Sequence, residues 1–474
     1  MPNHLRNIAE SYYQQPCSDV EKIPQSGSAR AYHRFYFENK PSLIGVINAD
    51  VKENEAFFSF TDTFLKQQIN VPEILFIDPS RKYYLLQDLG NETLFSYLNQ
   101  HRKSNQISEK TLTYYKKVLQ QLPLLQLSGL NGIDFSVCYP RDAFDQQSML
   151  WDLNYFKYYF LKLAHIPFDE QLLENDFQTF IQFLSQADSH YFMFRDFQSR
   201  NIMLFQDNPY FIDYQGGRKG ALQYDLASLL YDGKANLPQE VRDQLYDYYL
   251  DQLAQYITID REQFTQYFKG FVLIRIMQAM GAYGYRGYYE KKTLFLQSIP
   301  YAVKNIASLL QDLNLPIEIP TLLSVLDTIT KTDFDILATF PEDQLTISIR
   351  SFSYKKGIPE DPSGNGGGFV FDCRALPNPG RFAEYKTLTG RDPEVIHYLN
   401  QYDEVSIFND HVFQIVSLSV KNYLERKFNH LMVNFGCTGG QHRSVFFADR
   451  LAQHIRNQYP QVHVILKHTQ FPEL

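Results

Sequence analysis

Over the first ninety residues apolar and polar positions alternate in short runs, and a period of two predicts strands. Tyr32 to Phe37 and Ser42 to Asn48 flank a turn at Glu38 to Pro41, and Pro72 to Asp78 and Tyr83 to Gln87 flank another at Asp78 to Lys82. Between the two pairs, Lys52 to Gln68 reads as a helix. From Thr93 to about Asp312 the period lengthens. Leu112 to Leu122, Phe177 to Ala187 and Leu237 to Tyr256 place apolar residues three and four apart, so this part is mainly helical. Tyr191 to Asp213 interrupts it with short apolar pieces and polar punctuation, which suits a loop and a hairpin. After Asp312 the segment LPIEIP and the acidic stretch Phe340 to Asp343 read as a connection, with one helix at Leu322 to Thr330. A last segment begins near Gln344 and carries a buried-type strand, Leu431 to Phe435, and an amphipathic helix from Val445 to about Asn457. The pattern divides the chain into a β-rich part, 1–88, a helical part, 89–312, a linker, 313–343, and a separate α/β domain, 344–474.

A length of 474 residues agrees with two or three domains, each able to bury a core. With 45 basic against 53 acidic residues and 44% hydrophobic content, neither a disordered chain nor a basic nucleic-acid coat is expected. Gln344 to Leu474 holds 14 basic and 12 acidic residues, so the negative balance lies in the remainder. Cys17, Cys138, Cys373 and Cys437 stand too far apart for any CxxC pair, which removes the usual zinc and dithiol readings and fits a reducing cytoplasm. Met1 to Gln15 is too polar for a signal peptide, and Arg275 breaks the most apolar helix candidate, Phe271 to Met280. A cytoplasmic protein without a membrane span is the expectation. The 34 Tyr and 38 Phe against one Trp predict aromatic-filled cores.

Within the interrupted stretch, Phe194-Arg195-Asp196-Phe197-Gln198-Ser199-Arg200-Asn201 sets a carboxylate and an amide five residues apart, and Asp213 ends the apolar run Tyr210-Phe211-Ile212. Phosphoryl transfer needs such groups: one carboxylate to orient the attacking hydroxyl and take its proton, and an amide with a second carboxylate to hold Mg²⁺ against the ATP phosphates. An Asp and an Asn at this spacing are common in turns. The order of loop, strand, Asp and then Tyr224-Asp225-Leu226-Ala227 opening a helix is not.

These residues resemble the aminoglycoside phosphotransferase and choline kinase superfamily, most closely its AmgK-like N-acetylmuramate/N-acetylglucosamine anomeric kinases, over about residues 15 to 312. The resemblance implies an α+β, bilobal protein-kinase-like fold with a small β-rich N-lobe and a helical C-lobe. It makes Asp196 the catalytic base, Asn201 and Asp213 the metal ligands and Asp225 a structural residue of the catalytic lobe. Ser26, Gly27 and Ser28 would form the phosphate-covering loop, and Gln87, Asp88 and Leu89 the hinge beside adenine. Two departures stand out. Phe194 replaces the histidine that precedes the Arg-Asp pair, and Ser42 to Asn48 has no lysine to grip the phosphates, a gap shared with anomeric sugar kinases of this type. Glu55 would be the helix glutamate and Arg30 or Arg34 the cation, although both arginines also read as solvated strand-end charges. Arg275 and Gln278, one turn apart, read as ordinary helix-face residues rather than acceptor ligands.

In the last domain, Gly436-Cys437-Thr438-Gly439-Gly440-Gln441-His442-Arg443-Ser444 joins a strand to a helix, an anion-binding layout in which His442 and Arg443 would add cationic donors. A tight turn that merely needs glycine is the plain alternative. Cys437 and Arg443 also have the C-x5-R spacing of cysteine-dependent phosphatases, but Gly436 stands where those enzymes carry His. The domain resembles the RapZ C-terminal domain through Ile349-Arg350-Ser351-Phe352, Phe371-Asp372-Cys373-Arg374, Leu388-Thr389-Gly390 and the glycine loop. By that likeness a sugar phosphate would bind through Thr438, Gly439, Gly440, His442, Arg443 and Ser444, with Asp372 and Arg374 beside them. RapZ also handles RNA, but the dispersed Lys and Arg leave little electrostatic footprint for it.

The sequence therefore points to an ATP- and Mg²⁺-dependent kinase of a cell-wall amino sugar, phosphorylated at its anomeric hydroxyl, fused to a domain that takes a sugar phosphate effector. Its rivals are a non-catalytic sugar-phosphate sensor or RNA-binding adaptor on a pseudokinase scaffold, and a Cys-dependent phosphatase in the last domain.

Overall fold

The computed structural model describes residues 2–24, 30–102, 106–290, 292–332, 334, 344–359, 361 and 367–471. Its contacts divide into two compact units, 1–285 with 301–332, and 286–300 with 333–474.

The first unit opens on α1 (Pro2–Tyr13) and an antiparallel sheet of β1 (Asp19–Ile23), β2 (Ala31–Phe37), β3 (Lys40–Ile47), β4 (Ile74–Ile77) and β5 (Tyr83–Gln87), in the order β1-β2-β3-β5-β4. Alternation along β5 sends neighbouring side chains to opposite faces. Leu85 joins Leu5 and Ala9 of α1 in one cluster, while Tyr84 meets Phe57 and Phe58 of α2 (Val51–Lys66). Asp50 caps α2 by accepting the Glu53 N–H, and the buried spacing Phe57, Phe60 and Phe64 fixes which side of α2 faces inward.

A helical lobe follows. It contains α3 (Leu94–His101), α4 (Glu109–Leu127), α5 (Gln146–Phe156), α6 (Glu170–Leu184), α7 (Leu222–Leu230), α8 (Gln239–Leu253) and α9 (Arg261–Gly284). Between α6 and α7 lie two antiparallel ribbons, β6 (Tyr191–Met193) with β9 (Arg218–Gly220) and β7 (Ile202–Phe205) with β8 (Asn208–Phe211). The run Phe271 to Met277 of α9 is buried throughout, so this helix is surrounded by its neighbours. Phe57 and Phe64 of α2 pack on Tyr214 and on Phe192 of β6, which ties the helix behind the small sheet to the segment between the ribbons.

Two boundaries differ from the sequence reading. α9 gives way to a π-turn at Tyr285–Tyr289, and α10 (Thr293–Leu296) with the first residues of α11 (Ile299–Leu310) falls within 286–300 and groups with the second unit. Residues 313–332 are not a free connection. α12 (Pro320–Lys331) buries Leu322, Val325, Leu326 and Ile329 within the first unit, and the Leu322 N–H donates to Asp176 Oδ2 of α6 (2.8 Å). An amphipathic stripe needs apolar cover, and the helical lobe supplies it.

The second unit is a parallel sheet of β10 (Thr346–Ser353), β11 (Gly368–Asp372), β12 (His430–Cys437) and β13 (His463–His468), in the order β11-β12-β10-β13. Ile347, Ile349, Val433 and Phe435 share a core with α14 (Asp403–Glu425) and α15 (Arg443–Gln458), and α13 (Pro393–Asn400) adds Val395 and Leu399. Among the described residues no helix is long and apolar enough to cross a membrane.

Candidate functional site

The segment after β6 is held by a buried carboxylate. Asp225 on α7 accepts the N–H groups of Phe194 (2.8 Å) and Arg195 (3.0 Å). Burial pushes the Asp225 carboxyl up to about 7, against the two backbone bonds and the Gln126 amide that favour its charge. Phe194 packs against Phe197 and Tyr214, so an aromatic ring anchors the loop where a histidine was missing. Arg195 adopts φ +76° and donates to Asp152 of α5 (3.0 Å). A non-glycine residue in that region is strained and needs such over-determination.

These constraints present Asp196 about half exposed. Arg275 of α9, buried, approaches it (Nη2 to Oδ1, 3.6 Å) and is steadied by Ser228 Oγ (3.0 Å) and Gln278 Oε1 (2.5 Å). The expectation that Arg275 and Gln278 are ordinary face residues is thus corrected: α9 is enclosed, and a buried guanidinium needs partners. Gln198, Asp232, Arg275 and Tyr283 line a small pocket beside Asp196, and Asp232 accepts from Ser199 Oγ (3.0 Å).

Asn201 Nδ2 donates to the Asp196 carbonyl (2.8 Å), and the Asn201 carbonyl accepts the Ile212 N–H (3.1 Å), which brings Asp213 alongside. Asp213 also takes φ +71°. Burial raises its carboxyl pKa, Gln215 Nε2 at 2.6 Å opposes this, Asp196 raises it further, and the charges of Arg30 and Arg200 pull it down. A buried acid next to a second acid is a place where a cation is welcome. Asn201 and Asp213 carry oxygen atoms of the kind hard divalent cations take, in the small number usual where phosphates complete the shell. Among the described residues no group of three or more His, Cys, Asp or Glu forms a self-contained metal cage.

The nucleotide-side expectations fare differently. Ser26, Gly27 and Ser28 lie outside the described residues. Arg30 is buried and pairs with Glu53 (3.4 Å), not with Glu55. Glu55 points away, to Arg81, because two residues along a helix turn the side chain through about 200°. Arg34 donates to Asp88 (2.7 and 3.1 Å), Asn91 (2.7 Å) and the Gly90 carbonyl (2.9 Å), and Ser42 Oγ reaches Asp88 at 2.6 Å. Neither Arg34 nor Asp88 is a solvated end. The Asp88 side chain builds the hinge turn, while Gln87 ends β5 with its side chain against the Glu73 N–H (3.3 Å) and Leu89 is buried. Glu53, Asp152, Arg275 and Gln215 are site residues that spacing alone missed. Only Glu53 carried a signal, lying one helical turn before Phe57.

In the second unit, Asp372 pairs with Gly436 across the sheet, so Asp372 and Arg374 sit at the C-terminal strand edge beside the glycine loop, where open parallel sheets bind ligands. They form an exposed bidentate pair (2.7 to 3.0 Å), and Arg374 lies 3.8 Å over the Tyr354 ring. Gly440 has φ +71°, and Thr438 and Gly439 are exposed. Cys437 Sγ accepts the Gly440 N–H (3.2 Å) and lies 3.1 Å from Ser444 Oγ. Burial opposes thiolate formation, but these bonds outweigh it and lower the Cys437 pKa. His442 and Arg443 do not stand as free cationic donors. His442 Nε2–H donates to the Tyr385 carbonyl (2.7 Å) and burial lowers its pKa, while Arg443 Nη1 donates to the carbonyls of Arg374 and Leu376 (2.9 Å each). Both side chains brace the 374–388 segment under the loop.

Residues 53–263 match the model of the phosphotransferase enzyme family, and residues 345–471 match that of the RapZ C-terminal domain. Among curated proteins, a nucleotide-binding protein of Nitrosomonas europaea is 40% identical over 125 residues, 26% of this chain and 41% of that protein. One of Xanthomonas oryzae is 37% identical over 121 residues, 25% of this chain and 41% of that protein. The chain spans about two fifths of the length of these relatives. Solved structures with similar folds include a Plasmodium vivax ethanolamine kinase (12% identity, 62% of this chain and 82% of that one, TM-score 0.45). A Cryptosporidium parvum choline kinase is another (14% identity, 69% of this chain and 100% of that one, TM-score 0.46).

Proposed function

From a chain that joins a phosphotransferase-family domain to a RapZ-type C-terminal domain, we propose that the first transfers the terminal phosphoryl group of ATP to a hydroxyl of an amino sugar of the N-acetylmuramate or N-acetylglucosamine type, at its anomeric position. The second binds a sugar phosphate. The observation that carries the catalytic part is the convergence of Asp196, Asn201 and Asp213 on one loop and ribbon, with Arg195 and Asp213 both at positive φ.

Asp196 orients the acceptor hydroxyl and takes its proton, with Arg275 fixing the carboxylate's direction. Asn201 and Asp213 would hold Mg²⁺, which would supply positive charge against the transferring phosphate. Asp225 keeps the loop in register without touching the reactants. At the C-terminal site the exposed Thr438 and Gly439, the start of α15 and the Asp372–Arg374 pair support recognition of a phosphate with an attached polyol.

ADP release with N-acetylglucosamine and N-acetylmuramate tests the kinase reading. Turnover lost in Asp196→Asn is the expected result, and no turnover on either sugar removes the substrate assignment. Calorimetric titration with glucosamine-6-phosphate tests the second site, and kinase velocity measured at its saturation tests whether the two are linked.

A further inference from the structure

We propose that the outward side of α14 is a self-complementary docking surface, on which a second copy of this chain seats its own α14 in antiparallel orientation. The inference concerns the second unit alone and does not depend on the kinase reading.

An outer helix of a domain needs one apolar stripe, and α14 carries two. Val405, Val412, Val416 and Val420 face the sheet and are buried in its core. On the other side Ile407, Ile415 and Leu418 are 56%, 47% and 70% exposed. At about 100° per residue these three fall within about 80° of one another, with His411 between them. A single exposed apolar residue means little, whereas three aligned over about three turns leave a seam in water.

Charge says what fits the seam. The first half of α14 carries Asp403, Glu404 and Asp410, and its far end carries Lys421, with Arg426 and Lys427 just beyond. Among the described residues none of Asp403, Glu404, Asp410, Lys421 and Lys427 enters an ion pair. Place Ile415 on a two-fold axis perpendicular to α14. Glu404, eleven residues before the axis, then lies across from Arg426, eleven after it, and Asp410 falls beside Lys421. Helical phase puts the members of each of these two pairs on one flank of the seam, and helices related by such an axis meet flank to like flank. Glu425, an acid at the basic end, lies across from Val405 and meets no like charge. A parallel pair would set every charge against its own copy. At the centre Leu418 enters the gap beside the other copy's His411 and Ile415, as a knob enters a hole. Acid at the start and base at the end also suit the helix dipole, but a dipole needs neither the apolar seam nor the mid-helix Asp410.

The size of the seam sets the strength. A helix of 23 residues is about 35 Å long, and one pair of such helices falls at the low end of specific interfaces. Association is therefore concentration-dependent, with a Kd on the order of micromolar.

Sedimentation velocity of the full chain from about 1 to 100 μM tests this, with circular dichroism as the folding check. The wild type is expected to pass from monomer to dimer. Leu418→Glu, at a position the core does not use, weakens the dimer about 100-fold or more. Asp410→Lys and Lys421→Asp each weaken it about 5- to 30-fold, because the two-fold repeats every contact. The double variant Asp410→Lys/Lys421→Asp returns to wild-type association, since opposite charges meet again. A helix dipole, or a docking partner other than a second copy, does not give that recovery. A chain that stays monomeric throughout the range, a dimer unmoved by Leu418→Glu, or a double variant no better than the single ones overturns the proposal. Should Leu418→Glu misfold, the charge exchange carries the test by itself.

Discussion

Replacing Asp225 by asparagine separates two opposed effects of one buried carboxyl. Asp225 accepts the N–H groups of Phe194 and Arg195 at 2.8 and 3.0 Å, and Arg195 holds φ +76°. Asparagine keeps one acceptor and turns an amide N–H against the other donor, which leaves a buried group unpaired at a cost of about 2 kcal/mol. Charge acts the other way. The native carboxyl titrates at about 7 and the unfolded one near 3.8, so between these values the native state keeps a proton that the unfolded chain has released. Protons bound unfolded minus native is then negative, and wild-type stability falls as pH rises through the window and levels off above 7. From pH 5 to 7 the fall is about 2 kcal/mol, with a few tenths more by pH 8. Asparagine has no such loss. The variant is therefore expected to be less stable than wild type by about 2 kcal/mol at pH 5 and to overtake it by pH 8. Urea unfolding at several pH values measures this, with Trp151, the single tryptophan, as a probe on α5 inside the first unit. A stability difference that stays constant from pH 5 to 8, or widens against the variant, refutes the assignment of a buried, proton-holding Asp225.

Four further outcomes follow from the same structure. Gly440→Ala places a Cβ 2.9 Å from the Ser353 backbone N at φ +71°, and the strain, about 2 to 4 kcal/mol, lowers the melting temperature of the second unit and abolishes glucosamine-6-phosphate binding by calorimetry. Gly439→Ala, whose Cβ meets open space, leaves that melting temperature unchanged. Arg34→Met strands a buried Asp88 carboxylate, so the first unit loses about 3 kcal/mol in urea denaturation. Arg443 Nη1 is held by the Arg374 and Leu376 carbonyls and Gly436 stands where cysteine-dependent phosphatases carry His, so p-nitrophenyl phosphate is expected not to be hydrolysed; phosphate release that disappears in Cys437→Ser would restore the phosphatase alternative.

Local order was legible in the sequence, and long-range pairing was not. Asp196, Asn201 and Asp213 lie within eighteen residues on a loop and a ribbon, so their order along the chain singled them out where the spacing of any two did not. Asp225 is near enough in sequence that the opening of its helix announced it. Arg275 and Asp152 reach the same loop from α9 and α5, and no periodicity reports which residues of two distant helices will meet. The same limit explains α12: its apolar stripe gave the helix, but not the Asp176 carboxylate and the lobe that receive it.

Glu53 and Glu55 show where closer reading of the pattern would have sufficed. Phe57, Phe60 and Phe64 fix the buried side of α2, and Glu53 stands one turn before Phe57 while Glu55 stands opposite. Helical phase therefore assigns the partner of Arg30 once the cap at Asp50 sets where the helix begins. His442 and Arg443 mark the converse case. Their charge was plain in the sequence, but at the start of a helix a long side chain either faces the ligand or folds back onto the scaffold, and the choice depends on which carbonyls are left without donors. Here the carbonyls of Arg374 and Leu376 take Arg443 Nη1, and the Tyr385 carbonyl, which already accepts the Leu388 N–H, takes the His442 ring as well. A phosphate at this loop is consequently left to the backbone N–H groups and hydroxyls at the start of α15, with Arg374 as the exposed guanidinium nearest the strand edge.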